Sequence, residues 1–368
     1  MARLILDFLG IDIRPKKPRG RDGMRLIIRG QIGDNSSYDF HSRIIIDGLL
    51  ERGYELCIIP MNQDAWTRRI PEKYDSRLAR QPTIDAPTLV IYPPKYLPDD
   101  PQRTIYSTMW ETTRIPDPWV RNLNVSKAVI IPSMSNIIAL SGQGVTAPMH
   151  QVPFGIDVDA FQPSKPKERP YVVFGTSGIS KHGWPRKGFD EVVEAFQEAF
   201  PRGNEPVELR IKCYPKDPLP GFSDSRIAID QGTWPKDKLA DWYKSIDVYV
   251  CMSKGEGWGL MPAEAAACGR PSILPIFFCF SEHIGPEMSV PVDYKLVPGT
   301  NYYENMGLWA DPDVAHCSAI MRDIVTNPDQ IRVKGEAAHK RARQYTYKRM
   351  VDGYVRVIQE TFGKEYGY

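Results

Sequence analysis

The chain has 368 residues, of which 42% are hydrophobic and 25% charged, and its formal net charge is +2. This length suits two domains with separate cores, and the composition is that of an ordinary globular protein. A net charge so near zero excludes a general attraction to polyanions and leaves only local basic patches to consider. No apolar run approaches the roughly 18 residues of a membrane-spanning helix, so no transmembrane segment is predicted.

The cysteines and the amino terminus indicate the compartment. Six cysteines are scattered without a C-x-x-C pair, which is typical of reduced core residues in a cytoplasmic protein. Asp7 and Asp12 interrupt any signal-peptide core in the apolar first residues. No close His/Cys cluster points to zinc. We therefore expect a cytoplasmic protein with no structural metal.

A basic segment precedes the first strand. Residues 14–21 hold five basic side chains among two prolines and a glycine. Such a run is a solvated linker, or else an arm that binds the phosphates of nucleic acid or of an anionic membrane.

The first domain opens with alternating strand and helix patterns. A strand is predicted at 25–29, a helix at 38–52 capped from 35–37, and a strand at 53–59. Gly30 and Gly33 lie in the turn after the first strand. This order is the start of a Rossmann-like domain.

Three further strands are predicted at 88–92, 103–108 and 128–132. Trp110 and Glu111 follow the second of them. Two interpretations of Trp110 remain open, a cleft residue or the anchor of a loop. Proline and glycine then punctuate the chain up to Pro163, and residues 164–170 form a polar, proline-rich linker.

The second domain begins with a strand at 171–175 and a basic loop before a helix at 189–200. Arg186 and Lys187 lie in this loop. Arginine binds two oxygens in a fork and lysine acts as a point charge, so the pair suits a diphosphate. The alternative is a solvated basic turn. Strands are then predicted at 208–213 and 227–230, and a helix at 238–246.

A glycine-rich loop follows the apolar strand 247–252 and carries Glu256. We expect a helix from Pro262 to a left-handed cap at Gly269, with Glu264 in its first turn. Backbone N–H groups of such a loop can bind an anion. A tight turn with solvated carboxylates is the plainer alternative. Two helices, 330–345 and 347–362, end the chain.

Taken in order, these motifs resemble the retaining glycosyltransferases of family 4. The likeness rests on the E-x7-E spacing of Glu256 and Glu264, on Lys187-Gly188, and on the series PS…GV…VP-x-GvD…F-x-P between 132 and 163. The resemblance implies an α/β protein of GT-B fold, with two facing Rossmann-like domains and a last helix that crosses back to the first. The expected domains are 1–163, with 1–24 as a basic extension, and 170–345, followed by the helical segment 346–368.

The resemblance also implies roles for residues. Glu256 contacts the donor sugar, with Lys187 and Arg186 on the diphosphate as the other catalytic residues. The family places a Gly-Arg pair after the first strand of this domain, but here Ile179 follows Gly178, so Arg186 is assigned that role. The remaining implied donor-binding residues are Gly257, Trp258, Gly259, Leu260, Glu264 on the ribose, Gly232 and Thr233 on the nucleobase, Gly30 and Gly33. The implied acceptor-side residues are Trp110, Glu111 and His41.

The implied activity is metal-independent transfer of a hexose or pentose, with retention, from a nucleotide-diphosphate sugar to an acceptor hydroxyl. The nucleotide sugar is a substrate, and no resident cofactor is expected. A saccharide is the favoured acceptor. The arm at 14–21, with Arg68, Arg69, Arg77 and Arg80, raises DNA with hydroxymethylated bases as an alternative. A further alternative is a non-catalytic GT-B protein that binds glycan or nucleic acid. A sugar-nucleotide epimerase is disfavoured by the E-x7-E and Lys-Gly matches.

Overall fold

The computed structural model describes residues 24–33, 36–61, 70–164, 169–178, 184–215, 222–300 and 306–366. The predicted basic arm at 14–21, Arg68, Arg69 and most of the predicted linker lie outside these ranges.

The first sheet has six strands: β1 Arg25–Gly30, β2 Glu55–Pro60, β3 Thr88–Ile91, β4 Thr104–Ser107, β5 Ala128–Ile131 and β6 Met149–Gln151. They pair in parallel in the order β2-β1-β3-β4-β5-β6. Three helices accompany them, α1 Ser37–Glu51, α2 Asp117–Asn124 and α3 Met134–Gly142, with short 3-10 helices at Glu72–Arg77 and Pro101–Arg103. β4 and β5 are buried at every position and β1 at four of its six, as a parallel sheet covered by helices requires.

The second sheet also has six parallel strands: β7 Val172–Ser177, β8 Val207–Cys213, β9 Ile227–Gln231, β10 Val248–Val250, β11 Ser272–Leu274 and β12 Ser289–Pro291. Their order is β12-β11-β10-β7-β8-β9. Its helices are α4 Trp184–Lys187, α5 Phe189–Ala199, α6 Lys236–Ser245, α7 Leu260–Ala267, α8 Phe280–His283, α9 Val314–Thr326 and α10 Asp329–Ala342. This is the strand order of doubly wound nucleotide-binding domains.

An antiparallel hairpin projects from the second domain. It consists of β13 Tyr294–Pro298 and β14 Leu308–Pro312. Trp309 packs in one hydrophobic cluster with Trp110 and Trp119 of the first domain, and the Leu308 amide donates to Thr113 Oγ1 at 2.9 Å. The hairpin therefore connects the two domains.

The last helix, α11 Tyr347–Tyr366, returns to the first domain as predicted. A Cβ at Gly48 of α1 would lie 2.6 Å from Val351 of α11, so glycine permits the close approach of the two helices. Tyr354 Oη lies 2.5 Å from Ser107 Oγ at the end of β4, and Arg52 binds Asp352 at 2.5 Å.

The predicted strands and helices named above are all present, with ends shifted by one or two residues in most cases. One helix differs: α7 begins at Leu260 instead of Pro262. The left-handed Gly259, at φ 84°, precedes it, so Pro262 is its third residue and Glu264 lies beyond the first turn. Gly269 has φ 74°, which confirms the predicted left-handed end.

All six cysteines are buried and free, as expected for core residues. Among the residues that the structure describes, no helix is both long and apolar enough to cross a membrane. None of the described His, Cys, Asp and Glu side chains form a group of three or more that could hold a metal ion.

Candidate functional site

The site lies where the strand order of the second sheet reverses. β7 and β10 are hydrogen-bonded neighbours, yet the chain leaves β7 for β8 on one side and β10 for β11 on the other. Ligands of open α/β sheets bind in the crevice beyond the carboxyl ends of two such strands. β7 leads here to Arg186 and Lys187, and β10 leads to the Glu256 loop, residues 253–259.

Two hydrogen-bond donors and one guanidinium group converge on one oxygen of Glu256. Lys187 Nζ lies 2.5 Å from Glu256 Oε1, Arg186 Nη1 lies 3.3 Å from it, and Ser253 Oγ donates to it at 2.6 Å. Arg186 also donates to the Gly255 carbonyl at 2.5 Å. Among the described residues no group donates to Oε2, so this second oxygen is left to accept from a ligand.

The ion pair decides the charge of this buried carboxyl group. Burial by itself raises the pKa of Glu256, but the charges of Lys187 and Arg186 and the bonds from Lys187 and Ser253 lower it to about 2. Burial lowers the pKa of Lys187, while Glu256 opposes that shift. Glu256 is therefore an anion at neutral pH.

The pKa of Glu264 is shifted in the opposite direction to that of Glu256. Burial raises the pKa of its carboxyl group to about 7, although the hydrogen bond from Tyr243 and the charges of Lys212 and Lys236 work against the shift. Tyr243 Oη donates to Glu264 Oε2 at 2.9 Å. Of the two carboxyl groups of the E-x7-E pair, one is held ionised and the other titrates near neutral pH.

Glycine is required in the Glu256 loop because backbone and rings pass close to it. A Cβ at Gly255 would lie 2.0 Å from the Glu111 carbonyl and 2.8 Å from Trp309 Cδ1. One at Gly257 would lie 2.9 Å from Met109 Sδ, and one at Gly259 would lie 2.3 Å from the Phe280 ring. The first domain and the hairpin thus pack directly on this loop.

The Trp258 side chain is buried among other rings. It stacks on His283, with ring centroids 4.0 Å apart and planes at 10°, and meets Tyr345 edge to face. Among the described residues the indole N–H of Trp258 has no hydrogen-bond partner. Leu260, the first residue of α7, is half-buried beside it.

The predicted nucleobase residues follow β9. The Gly232 amide donates to the Cys213 carbonyl at 3.0 Å, and a Cβ at Gly232 would lie 2.2 Å from Trp234 Nε1. Lys238 Nζ lies 4.4 Å from the centre of the Trp234 ring. Thr233 is exposed between them. The segment presents a backbone turn beside an indole ring.

On the first domain, Trp110 is a loop anchor. Its side chain is buried, donates from Nε1 to the Arg114 carbonyl at 2.7 Å, and packs edge to face on Trp119. Glu111 is half-buried, and its carboxylate makes no hydrogen bond or ion pair within the described residues. Of this predicted pair, Glu111 is the residue with a free polar group.

His41, Gly30 and Gly33 are buried inside the first domain. Burial lowers the pKa of His41 to about 4, so the ring is neutral, and it stacks on Phe154 at 3.8 Å. The Gly33 amide donates to the buried carboxylate of Asp39 at 2.7 Å. A Cβ at Gly30 would lie 2.8 Å from the Ile91 carbonyl. His41 and Gly30 thus make close packing contacts inside the first domain.

The structure adds residues that the sequence did not single out. Ser253 lies three positions before Glu256, so its place in the loop was visible but its bond was not. Tyr243 reaches Glu264 from α6, and Glu282 reaches α3 of the first domain. No local pattern indicates the contacts of Tyr243 and Glu282, because each joins segments distant in sequence.

Comparison with known proteins bears on the fold and on the class of protein. The profile of the family described as "Glycosyl transferases group 1" matches residues 172–282, which include Arg186, Lys187, Glu256 and Glu264. The structure of sucrose-phosphate synthase from Thermosynechococcus elongatus superposes with a TM-score of 0.71 at 13% identity, covering 93% of this chain and 100% of that chain. The fold is GT-B.

Two curated relatives are similar in sequence. The MMP alpha-(1->4)-mannosyltransferase of Mycolicibacterium hassiacum is 24% identical over 200 residues, which are 53% of this chain and 44% of that protein. The lipopolysaccharide core mannosyltransferase LpsB of Rhizobium meliloti is 29% identical over 176 residues, or 42% of this chain and 48% of that protein. The chain spans less than half the length of these relatives. The chain is thus similar to the group 1 glycosyl transferases over residues 172–282.

Proposed function

We propose that the protein transfers a hexose, with retention of anomeric configuration, from a nucleotide-diphosphate sugar to a hydroxyl group of a saccharide. The observation that carries this proposal is the buried Glu256, whose Oε1 is held by Lys187, Arg186 and Ser253 while Oε2 has no described donor. Arg186 and Lys187 follow β7 and Glu256 follows β10, so the two parts of the site meet where the strand order of the second sheet reverses.

The leaving diphosphate needs positive charge. Lys187 has three N–H donors, of which Glu256 takes one, so two remain for phosphate oxygens. Arg186 supplies a second cation. The backbone N–H groups from Gly257 to Leu260, at the positive end of α7, supply further donors without a metal.

The sugar develops oxocarbenium character as its bond to the diphosphate breaks. Glu256 Oε2 would accept hydrogen bonds from sugar hydroxyls and place the anomeric carbon. Because Glu256 is ionised at neutral pH, these bonds are charge-assisted. Retention then follows from attack on the face that the diphosphate leaves, with a phosphate oxygen accepting the proton of the acceptor hydroxyl. Glu264 would bind the ribose.

A saccharide acceptor is supported by the names of the relatives, a mannosyltransferase and a lipopolysaccharide core mannosyltransferase. Glu111 is the acceptor-side group that we propose for this step, because its carboxylate is unpaired within the described residues and its carbonyl lies against Gly255. The arm that raised DNA as an alternative lies outside the described residues.

A donor panel tests the proposal. Nucleotide release is measured from UDP-, GDP- and ADP-hexoses, with and without oligosaccharide acceptors, in buffer containing EDTA. We expect one donor to be turned over and acceptor to accelerate release. Binding of glycans with no turnover of any donor would identify a binding protein instead.

A further inference from the structure

The short helix α8 contacts both domains at once. The carboxylate of Glu282 accepts hydrogen bonds from the Met134 amide at 2.8 Å, the Ser135 amide at 2.7 Å and Ser135 Oγ at 2.8 Å. Gln151 Nε2 donates to it at 2.8 Å. All four donors belong to the first domain, and Glu282 belongs to the second.

This contact is favourable for two physical reasons. Met134 and Ser135 are the first residues of α3, whose amides have no partner within the helix. A carboxylate there satisfies these amides and meets the positive end of the helix dipole. Because the acceptor is ionised, these hydrogen bonds are roughly twice as strong as neutral ones.

The neighbours of Glu282 on α8 hold the Glu256 loop. The Phe280 ring lies so close to Gly259 that a Cβ there would be 2.3 Å away. His283 stacks on Trp258 at 4.0 Å, and burial lowers its pKa to about 3, so the ring is neutral. Residues on one helical turn thus touch α3 on one side and the loop of Glu256 on the other.

We propose that Glu282 is a positioning residue, which fixes the Glu256 loop in its active geometry when its carboxylate binds the first turn of α3. Closure of the two domains and placement of Glu256 are then one event, transmitted through Phe280 and His283. The role of Glu282 in holding the loop is independent of the proposed function, and only its expected effect on sugar transfer rests on that function.

Hydrogen exchange on the full chain without any substrate tests the coupling. Glu282→Gln keeps the shape of the side chain but removes its charge and sets an amide N–H₂ against a donor. We expect amides of residues 253–259 to exchange about tenfold faster, the effect of about 1.4 kcal/mol on an opening equilibrium. Glu287→Gln, an exposed carboxylate five residues on, is the matched control and should change nothing.

Ser135→Ala approaches the same contact from the other domain. It removes one of the four bonds to Glu282, so we expect a smaller rise in exchange in the same loop. This variant carries the test if Glu282→Gln does not fold. Faster exchange confined to α3 and α8, with 253–259 unchanged in the folded variants, would overturn the proposal.

Steady-state kinetics supply the second measurement. In Glu282→Gln we expect kcat for transfer to fall about tenfold, with the donor KM nearly unchanged, and Glu282→Asp to recover part of kcat. A changed KM with unchanged kcat would contradict a positioning role. If the wild-type protein turns over no donor, the proposed function fails, while the exchange experiment still decides whether Glu282 controls the loop.

Discussion

Lys187 Nζ and Glu256 Oε1 lie 2.5 Å apart, although Lys187 follows β7 and Glu256 follows β10. The cation proposed for the diphosphate and the carboxylate proposed for the sugar therefore bind each other before a donor arrives. The pair keeps both groups charged in a buried position and holds them at the point where the sheet order reverses. A bound donor would complete an arrangement that already exists.

Glu264 should make stability depend on pH. Its folded pKa of about 7 lies above the ordinary value of 4.5, so its stabilising contribution is present below about pH 4.5 and is lost as the pH rises through 7. Glu264→Gln cannot ionise. Relative to the wild type it should gain roughly 3 kcal/mol of unfolding free energy between pH 4 and pH 8. Denaturant titrations at both pH values measure this, and a difference between the two proteins that is independent of pH would contradict it.

Gly255 should tolerate no side chain. A Cβ would meet the Glu111 carbonyl at 2.0 Å and Trp309 at 2.8 Å, so Gly255→Ala must push the loop away from the first domain at a cost of about 1–3 kcal/mol. We expect kcat/KM to fall at least about tenfold. Gly142→Ala is the control, because within the described chain a Cβ there would meet no atom outside its own helix within 4 Å. Equal activity in the two variants would show that this close contact is unimportant.

Glu111→Gln separates the acceptor step from the donor step. Its carboxylate is half-buried and unpaired within the described chain, and general acid–base or positioning groups contribute about 100-fold or more. We expect transfer to acceptor to fall by that order, while slow donor hydrolysis without acceptor stays within about threefold. Glu51→Gln, an exposed carboxylate of the same domain, is the control. A parallel loss of both activities would place Glu111 on the donor side.

Much of the fold could be predicted because its signals are local. The strands are short apolar runs, the capping serine precedes α1, and the stripe of apolar residues on α11 indicates a buried face. The E-x7-E spacing likewise lies within one loop and helix. The start of α7 was misplaced because proline is tolerated throughout the first turn of a helix, and left-handed Gly259 sets the boundary instead.

The features of the fold and site that could not be predicted depend on contacts between segments distant in sequence. Glu282 and Ser135 are 147 positions apart, and Trp309 packs with Trp110 only because the hairpin crosses between domains. The sequence left Trp110 equally open to a cleft role and to an anchoring role, because an indole ring suits both. Its bond to the Arg114 carbonyl and its packing on Trp119 favour the anchor.

The most direct test of the account compares wild-type protein with Glu256→Gln on the donor found in the panel. Glutamine keeps the hydrogen-bonding shape but removes the charge that Lys187 and Arg186 compensate and that stabilises the reacting sugar. We predict that kcat for transfer falls about 100- to 1,000-fold, with donor KM changed by less than about fivefold and Glu287→Gln behaving as wild type. A Glu256→Gln variant that is folded and transfers sugar at the wild-type rate would contradict the assignment of this site.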